Sequence, residues 1–216
     1  MEINISAVAE AVLKAIESNG GISDETGDIP VGISNRHIHL CREHIDILFG
    51  ENYQLNPIKD LSQPGQYACK ELLTIVGPSL KPIENVRVLG PERSKSQVEI
   101  SRTDSFTLKV KPPVRESGNI VGSAPITIIG PKGVVTLKEG CIIANRHIHM
   151  SLEDGASFGV KDGDFVTVDA IGERRTRFYD VQVRVDKNFR LEMHLDTDDA
   201  NAAGLKNGSK VKIAEK

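Results

Sequence analysis

The chain has 216 residues with 27 Lys and Arg against 30 Asp and Glu, and this net charge of −3 gives no electrostatic footprint for nucleic acid. No apolar run approaches the ~20 residues a membrane-spanning helix needs, and the start of the chain does not resemble a secretory leader, so a cytosolic-type globular protein is expected. Three scattered cysteines, Cys41, Cys69 and Cys141, fit a reducing compartment better than a disulfide framework, and with no Trp the core must rest on Val, Ile and Leu.

Ile5, Val8, Val12 and Ile16 fall at helical spacing in a segment of good helix formers. Asn19-Gly20-Gly21 stops that helix, and the acidic, turn-rich stretch to Asp28 reads as a linker. A helix this short is marginal alone in water and needs a surface for its apolar stripe, either on its own domain or on a partner. Residues 1–28 are therefore set apart as an amphipathic helix and linker.

From Ile29 onward short β-branched runs alternate with Gly and Pro punctuation. Strands are expected near Val31–Ser34, Leu72–Val76, Asn85–Leu89, Gln97–Ser101, Ile126–Ile129 and Val134–Leu137. Others are expected near Ile142–Asn145, Phe165–Ala170, Tyr179–Val185, Arg190–His194 and Lys210–Ile213. They lie too close together for long crossover helices, which favours a mostly β fold over a doubly wound sheet. Ser151 and Asp154 are placed as a capping box opening a short helix, whereas Cys41 is a poorer cap at the equivalent position. Glycines at Gly159, Gly163, Gly204 and Gly208 stand where turns call for positive φ.

The chain also repeats itself. Four of its six histidines occur in two copies of Asn-Arg-His-Ile-His, ending at His39 and at His149. Asn85-Val86-Arg87-Val88 followed by Thr103-Asp104 is echoed by Asp180-Val181-Gln182-Val183 followed by Thr197-Asp198. This points to an internal duplication, two related barrel- or sandwich-type units of residues 29–123 and 124–216 with a boundary near Ser123. On a strand, residues two apart share a face, so each His-x-His presents two imidazoles side by side. Two imidazoles hold a metal weakly; a third protein ligand makes a site and leaves a position open for chemistry. The duplication locates that ligand in each late strand: Glu99 for His37 and His39, and His194 for His147 and His149. Both His₂Glu and His₃ are sets that catalytic zinc uses. His44, on the helix after the first motif, reads as a surface residue. The loop Gly90-Pro91-Glu92-Arg93-Ser94-Lys95-Ser96 precedes the Glu99 strand, so the planar fork of Arg93 is placed over the metal as a phosphate grip.

These stretches, together with Gln63-Pro64-Gly65-Gln66-Tyr67 and Leu191-Glu192-Met193-His194-x-Asp196-Thr197-Asp198, closely resemble the PduL-type phosphotransacylases. These are the phosphate propanoyltransferases of bacterial microcompartments, such as those for propanediol degradation. The resemblance runs from Ile29 to about Lys212. It implies two β-barrel domains with a dimetal site, usually zinc, and reversible transfer of propanoyl or another short acyl chain between coenzyme A and phosphate. It assigns one metal to His37, His39 and Glu99 and the other to His147, His149 and His194, and makes Arg93 the phosphate-binding, catalytic arginine. It also implies coenzyme A contacts at Ile33, Ser34, Asn35, Arg87 and Asn201. Extensions like residues 1 to about 20 serve in microcompartment members of this family as peptides docking on shell proteins, so here they are expected to target the chain to a microcompartment shell or to drive self-association. The residues alone leave two rivals: a dimetal hydrolase of acyl or phosphate esters, and a non-catalytic metal-binding barrel.

Overall fold

The structure, a computed structural model, describes residues 28–214; the expected N-terminal helix and most of its linker lie outside them. In chain order the first elements are β1 (Ile29–Ser34), β2 (His37–His39), α1 (Arg42–Phe49), β3 (Pro57–Asp60), β4 (Tyr67–Val76), β5 (Pro82–Gly90) and β6 (Gln97–Glu99). Next come α2 (Arg102–Leu108), β7 (Val114–Arg115), β8 (Ala124–Ile129), β9 (Val134–Ala144), β10 (His147–Met150) and α3 (Leu152–Phe158). The last are β11 (Phe165–Ala170), β12 (Thr176–Val185), β13 (Glu192–Asp196), α4 (Thr197–Ala203) and β14 (Lys210–Ile213).

The strands close into two six-stranded barrels, as expected. The first ring runs β4-β5-β2-β6-β9-β8, closed because β8 pairs with both β4 and β9. The second runs β1-β13-β10-β12-β11-β14, closed by the pairing of β14 with β1. Each has its own aliphatic core. Ile38, Val86, Val88 and Val98 pack in the first, and Ile148, Val183, Met193 and Leu195 in the second.

The expected boundary at Ser123 is not where the strand pairing divides the chain. β1 precedes the first His-x-His strand but pairs in parallel with β13 of the second barrel. β9 precedes the second His-x-His strand but pairs in parallel with β6 of the first. The first barrel thus takes β8 and β9 from beyond Ser123, and the second takes β1 from before it. The chain crosses between barrels over two short spans, Asn35-Arg36 and Asn145-Arg146. Hydropathy shows which residues face a core but not which core, so the swap left no trace in the pattern.

Three local differences follow from packing. The runs expected at Val134–Leu137 and Ile142–Asn145 are one continuous strand, β9, bent at Gly140, which sits at φ 144°. A Cβ there would lie 2.8 Å from Leu137 Cδ1. β3 was not expected because all four of its residues are exposed, so it carries no buried alternation. β7 has only two residues and no signal of its own.

A two-cluster cleft between the barrels

The His-x-His strands obey the two-residue period. Ile38 and Ile148 are fully buried in their own barrels, which turns His37, His39, His147 and His149 outward, toward the opposite barrel. The antiparallel register supplies the third member of each set. His37 stands directly across from Glu99 on β6, and His147 directly across from His194 on β13. Facing residues of an antiparallel pair lie side by side on one surface. In each set, one ligand-type atom per residue lies within 4.8 Å of the others.

Both clusters are oriented the same way. Nδ1 of His37 lies 2.8 Å from the Asn35 carbonyl, and Nδ1 of His147 lies 2.8 Å from the Asn145 carbonyl. Each ring therefore donates Nδ1–H to the main chain and turns the lone pair of Nε2 into the cluster, the arrangement metal-binding histidines use. The Nε2 atoms of His147 and His149 are 3.1 Å apart, and Nδ1 of His149 is buried with no hydrogen-bond partner.

The electrostatics keep His39, His147 and His149 neutral. Burial, reinforced by the neighbouring His37 and Arg93 charges, pushes His39 down to about 3. Burial together with His194 takes His147 to about 4, and burial with His147 takes His149 to about 2. Burial would raise the Glu99 carboxyl, but His37, its Nε2 3.4 Å away, holds it well below the usual carboxylate range. Burial also works against a charge on His37, yet Glu99 raises it overall. Neutral imidazoles and an ionised carboxylate are the donor forms a divalent ion requires. The residues present fit one such ion in each cluster.

The two clusters open on one cleft, lined from both barrels. Above Glu99 lies a network with every member satisfied. The Ser117 hydroxyl donates to Glu99 Oε1 at 2.7 Å and accepts from Gln97 Nε2 at 3.0 Å and Arg93 Nη1 at 3.1 Å. Gln97 Nε2 also donates to Glu99 Oε1 at 2.6 Å, and Gln97 Oε1 accepts from the Gly118 amide at 2.8 Å. Arg93 is set by its own backbone, whose N–H donates to the Leu40 carbonyl at 2.8 Å. Burial depresses its pKa; Glu99 opposes this and Arg184 adds to it, so two guanidiniums share the cleft. A pocket with two such forks suits an anion.

Ser34 and Asn35 line the cleft, but Ile33 lies behind them, its N–H donating to Asn207 Oδ1 at 2.7 Å and its side chain packed on the second core. Arg87 and Asn201 are not brought into the cleft. Arg87 donates to the Cys69 and Lys70 carbonyls at 2.8 and 3.1 Å, and Asn201 is exposed on α4. His44 is half-buried rather than superficial, its Nδ1 2.7 Å from Ser96 Oγ.

Sequence reasoning missed Ser117, Gln97 and Arg184. The duplication held a signal for Arg184: Arg87 pairs with His37 as Gln182 pairs with His147, so the cleft-facing residue on each strand lies two further on, at Leu89 and Arg184. No pattern marked Ser117, which reaches the site from a turn ending in Gly118 at φ 95°.

Among known families, the phosphate propanoyltransferases match residues 30–206. A phosphate propanoyltransferase of Lachnoclostridium phytofermentans is 54% identical over 215 residues, covering 99% of this chain and 100% of that protein. One from Thermotoga maritima is 57% identical over 188 residues, covering 87% and 89%. One from Clostridioides difficile is 44% identical over 216 residues, covering all of both chains.

Proposed function

The chain belongs to the phosphate propanoyltransferase family, and from that premise we propose that it moves a short acyl group, propanoyl foremost, reversibly between coenzyme A and inorganic phosphate. The observation that carries the reading is the pair of three-donor clusters facing one cleft that also holds Arg93 and Arg184. His37, His39 and Glu99 would hold one divalent ion, and His147, His149 and His194 the other, zinc being the natural choice for these donors. Bound there, the ions would supply carbonyl polarisation and a lowered thiol pKa.

In the direction of thioester synthesis, the coenzyme A thiol loses its proton to solvent and its sulfur bonds to the carbonyl carbon of the acyl phosphate. The bond from that carbon to the phosphate oxygen breaks, and phosphate leaves with the electron pair. Arg93 meets the phosphate with a fork held by Ser117, its backbone anchored on the Leu40 carbonyl, and compensates the phosphate charge as the bond changes. Arg184, on the opposite wall, adds a second positive charge. Holding both reactants in one partly enclosed cleft removes the entropy of their encounter. Ser34 and Asn35 are assigned to coenzyme A on their place at the cleft wall.

No protein nucleophile is needed. No cysteine lines the cleft, and burial pushes Cys69 up to about 11 and Cys141 up to about 12, far from thiolates at neutral pH. No described helix is long and apolar enough to cross a membrane. Residues 1 to about 20 are assigned, on their sequence pattern, to docking on a microcompartment shell; deleting them should abolish encapsulation and leave turnover unchanged.

The decisive assay follows loss of acyl phosphate with and without coenzyme A. Coenzyme-dependent loss with thioester formed is expected; loss without coenzyme would make the protein a hydrolase, and no loss at all a binding module. Elemental analysis should find two divalent ions per chain, and His149→Ala should lose one ion and turnover together. Full activity in a metal-free preparation would overturn the metal assignment.

A further inference from the structure

His194 is supported differently from the histidines it joins. His37 and His147 lean on main-chain carbonyls, whereas Nε2 of His194 lies 2.6 Å from Oε2 of Glu192. Glu192 and His194 are two apart on β13, with Met193 buried between them, so both project from the same outer face. The Glu192 carboxylate is not part of the three-donor cluster. In the β10–β13 register Glu192 stands across from His149, and its carboxylate bonds to His194 rather than joining the three donors.

That carboxylate is held from two further directions. The Ser62 hydroxyl, reaching over from the first barrel, donates to the same Oε2. Gly32 on the neighbouring β1 leaves the room it occupies, since a Cβ there would lie 2.8 Å from Glu192 Cδ. The loop carrying Ser62 is clamped in turn. The Gln63 amide donates to the Arg190 carbonyl at 3.0 Å and accepts from the Arg190 N–H at 3.2 Å, and Gln63 is only 2% exposed.

We propose that Glu192 is a positioning residue that accepts the Nε2–H of His194 and so presents the Nδ1 lone pair to the ion shared with His147 and His149. A carboxylate behind a ligating imidazole fixes its tautomer and raises its basicity. Here that carboxylate is itself braced by the other barrel, so docking of the Ser62–Gln63 loop supports the orientation of His194. The inference rests on the metal reading given above.

The test is competition for zinc between a colorimetric chelator and the wild-type, Glu192→Ala, Glu192→Gln, Ser62→Ala and His194→Ala proteins. Glu192→Ala should weaken one site by roughly 10–100-fold and leave the other at wild-type affinity. Glu192→Gln, whose amide oxygen still accepts the Nε2–H, should lose less, and Ser62→Ala least. Glu192→Gln also carries the test if the Ala variant does not fold. Wild-type affinity at both sites in the Glu192 variants would overturn the positioning role. Two ions retained by His194→Ala would instead overturn the metal reading itself.

Discussion

At the scale of single residues, the Ser117 hydroxyl is where the anion grip and the first cluster meet, because one oxygen touches Arg93, Gln97 and Glu99. Arg93 works through the shape of its head group as well as its charge. Lys in its place would keep the charge, lose the fork, and fall out of register with Ser117. Arg93→Lys should therefore lower kcat/KM for phosphate by about 10²-fold, the scale of removing one donor aimed at developing charge. The ion count should stay at wild-type level. Initial rates at limiting phosphate and elemental analysis of the same sample check this, and a wild-type rate would remove Arg93 from the mechanism. Ser117→Ala should act in the same direction but more weakly, since Arg93 keeps its backbone anchor.

At the scale of elements, the short helices depend on their first turns. In α2 and α3 the N-cap serines, Ser101 and Ser151, form complete capping boxes with Asp104 and Asp154. In α1 the N-cap is Cys41, which makes no capping bond, and His44 stands where the others have Asp. Ser96, from the loop before β6, fills the gap, accepting the Cys41 N–H at 2.9 Å and meeting the His44 ring. Replacing Ser151 with Ala removes a full box with no such substitute. It should cost about 1 kcal/mol, or about 2–4 °C in Tm for a chain of this size, measured by calorimetry with turnover retained. A Tm unchanged within error would mean that α3 is held by its packing alone. The same elements show what a sequence discloses. Strands with one buried face were legible, β11 and β14 to the residue, and so was the Ser151 box. Fully exposed β3 was not, because without a buried face there is no alternation to read. The metal-type clusters were legible because duplication displayed each ligand twice, on strands whose period fixes the side they face. Ser117 was hidden because it belongs to a turn whose approach to Glu99 is decided only by tertiary packing. Arg87 and Asn201 carry the family motif, yet neither lines the cleft itself.

At the scale of the whole molecule, the exchange of β1 and β9 makes each barrel incomplete without strands from the other repeat. Further ties bind the two together. Arg36 grips Asp104 with two hydrogen bonds of 2.9 and 2.7 Å, Arg146 lies 3.3 Å from Asp199, and Asp198 accepts the Thr103 N–H at 2.8 Å. Neither barrel has a reason to melt ahead of the other. Calorimetry should show one transition whose van't Hoff and calorimetric enthalpies agree, and two resolved transitions would count against this coupling.

The crossings at Asn35-Arg36 and Asn145-Arg146 also restrict how the enzyme moves. Two lobes joined by one tether would swing open and shut like a jaw, as many transferases do around their substrates. Here the chain is stitched across the cleft twice, within a residue or two of His37 and His147. The gap between the clusters is thus set by covalent bonds and does not wait for a ligand to close it. Any gating then falls to surface loops rather than to a hinge between the barrels.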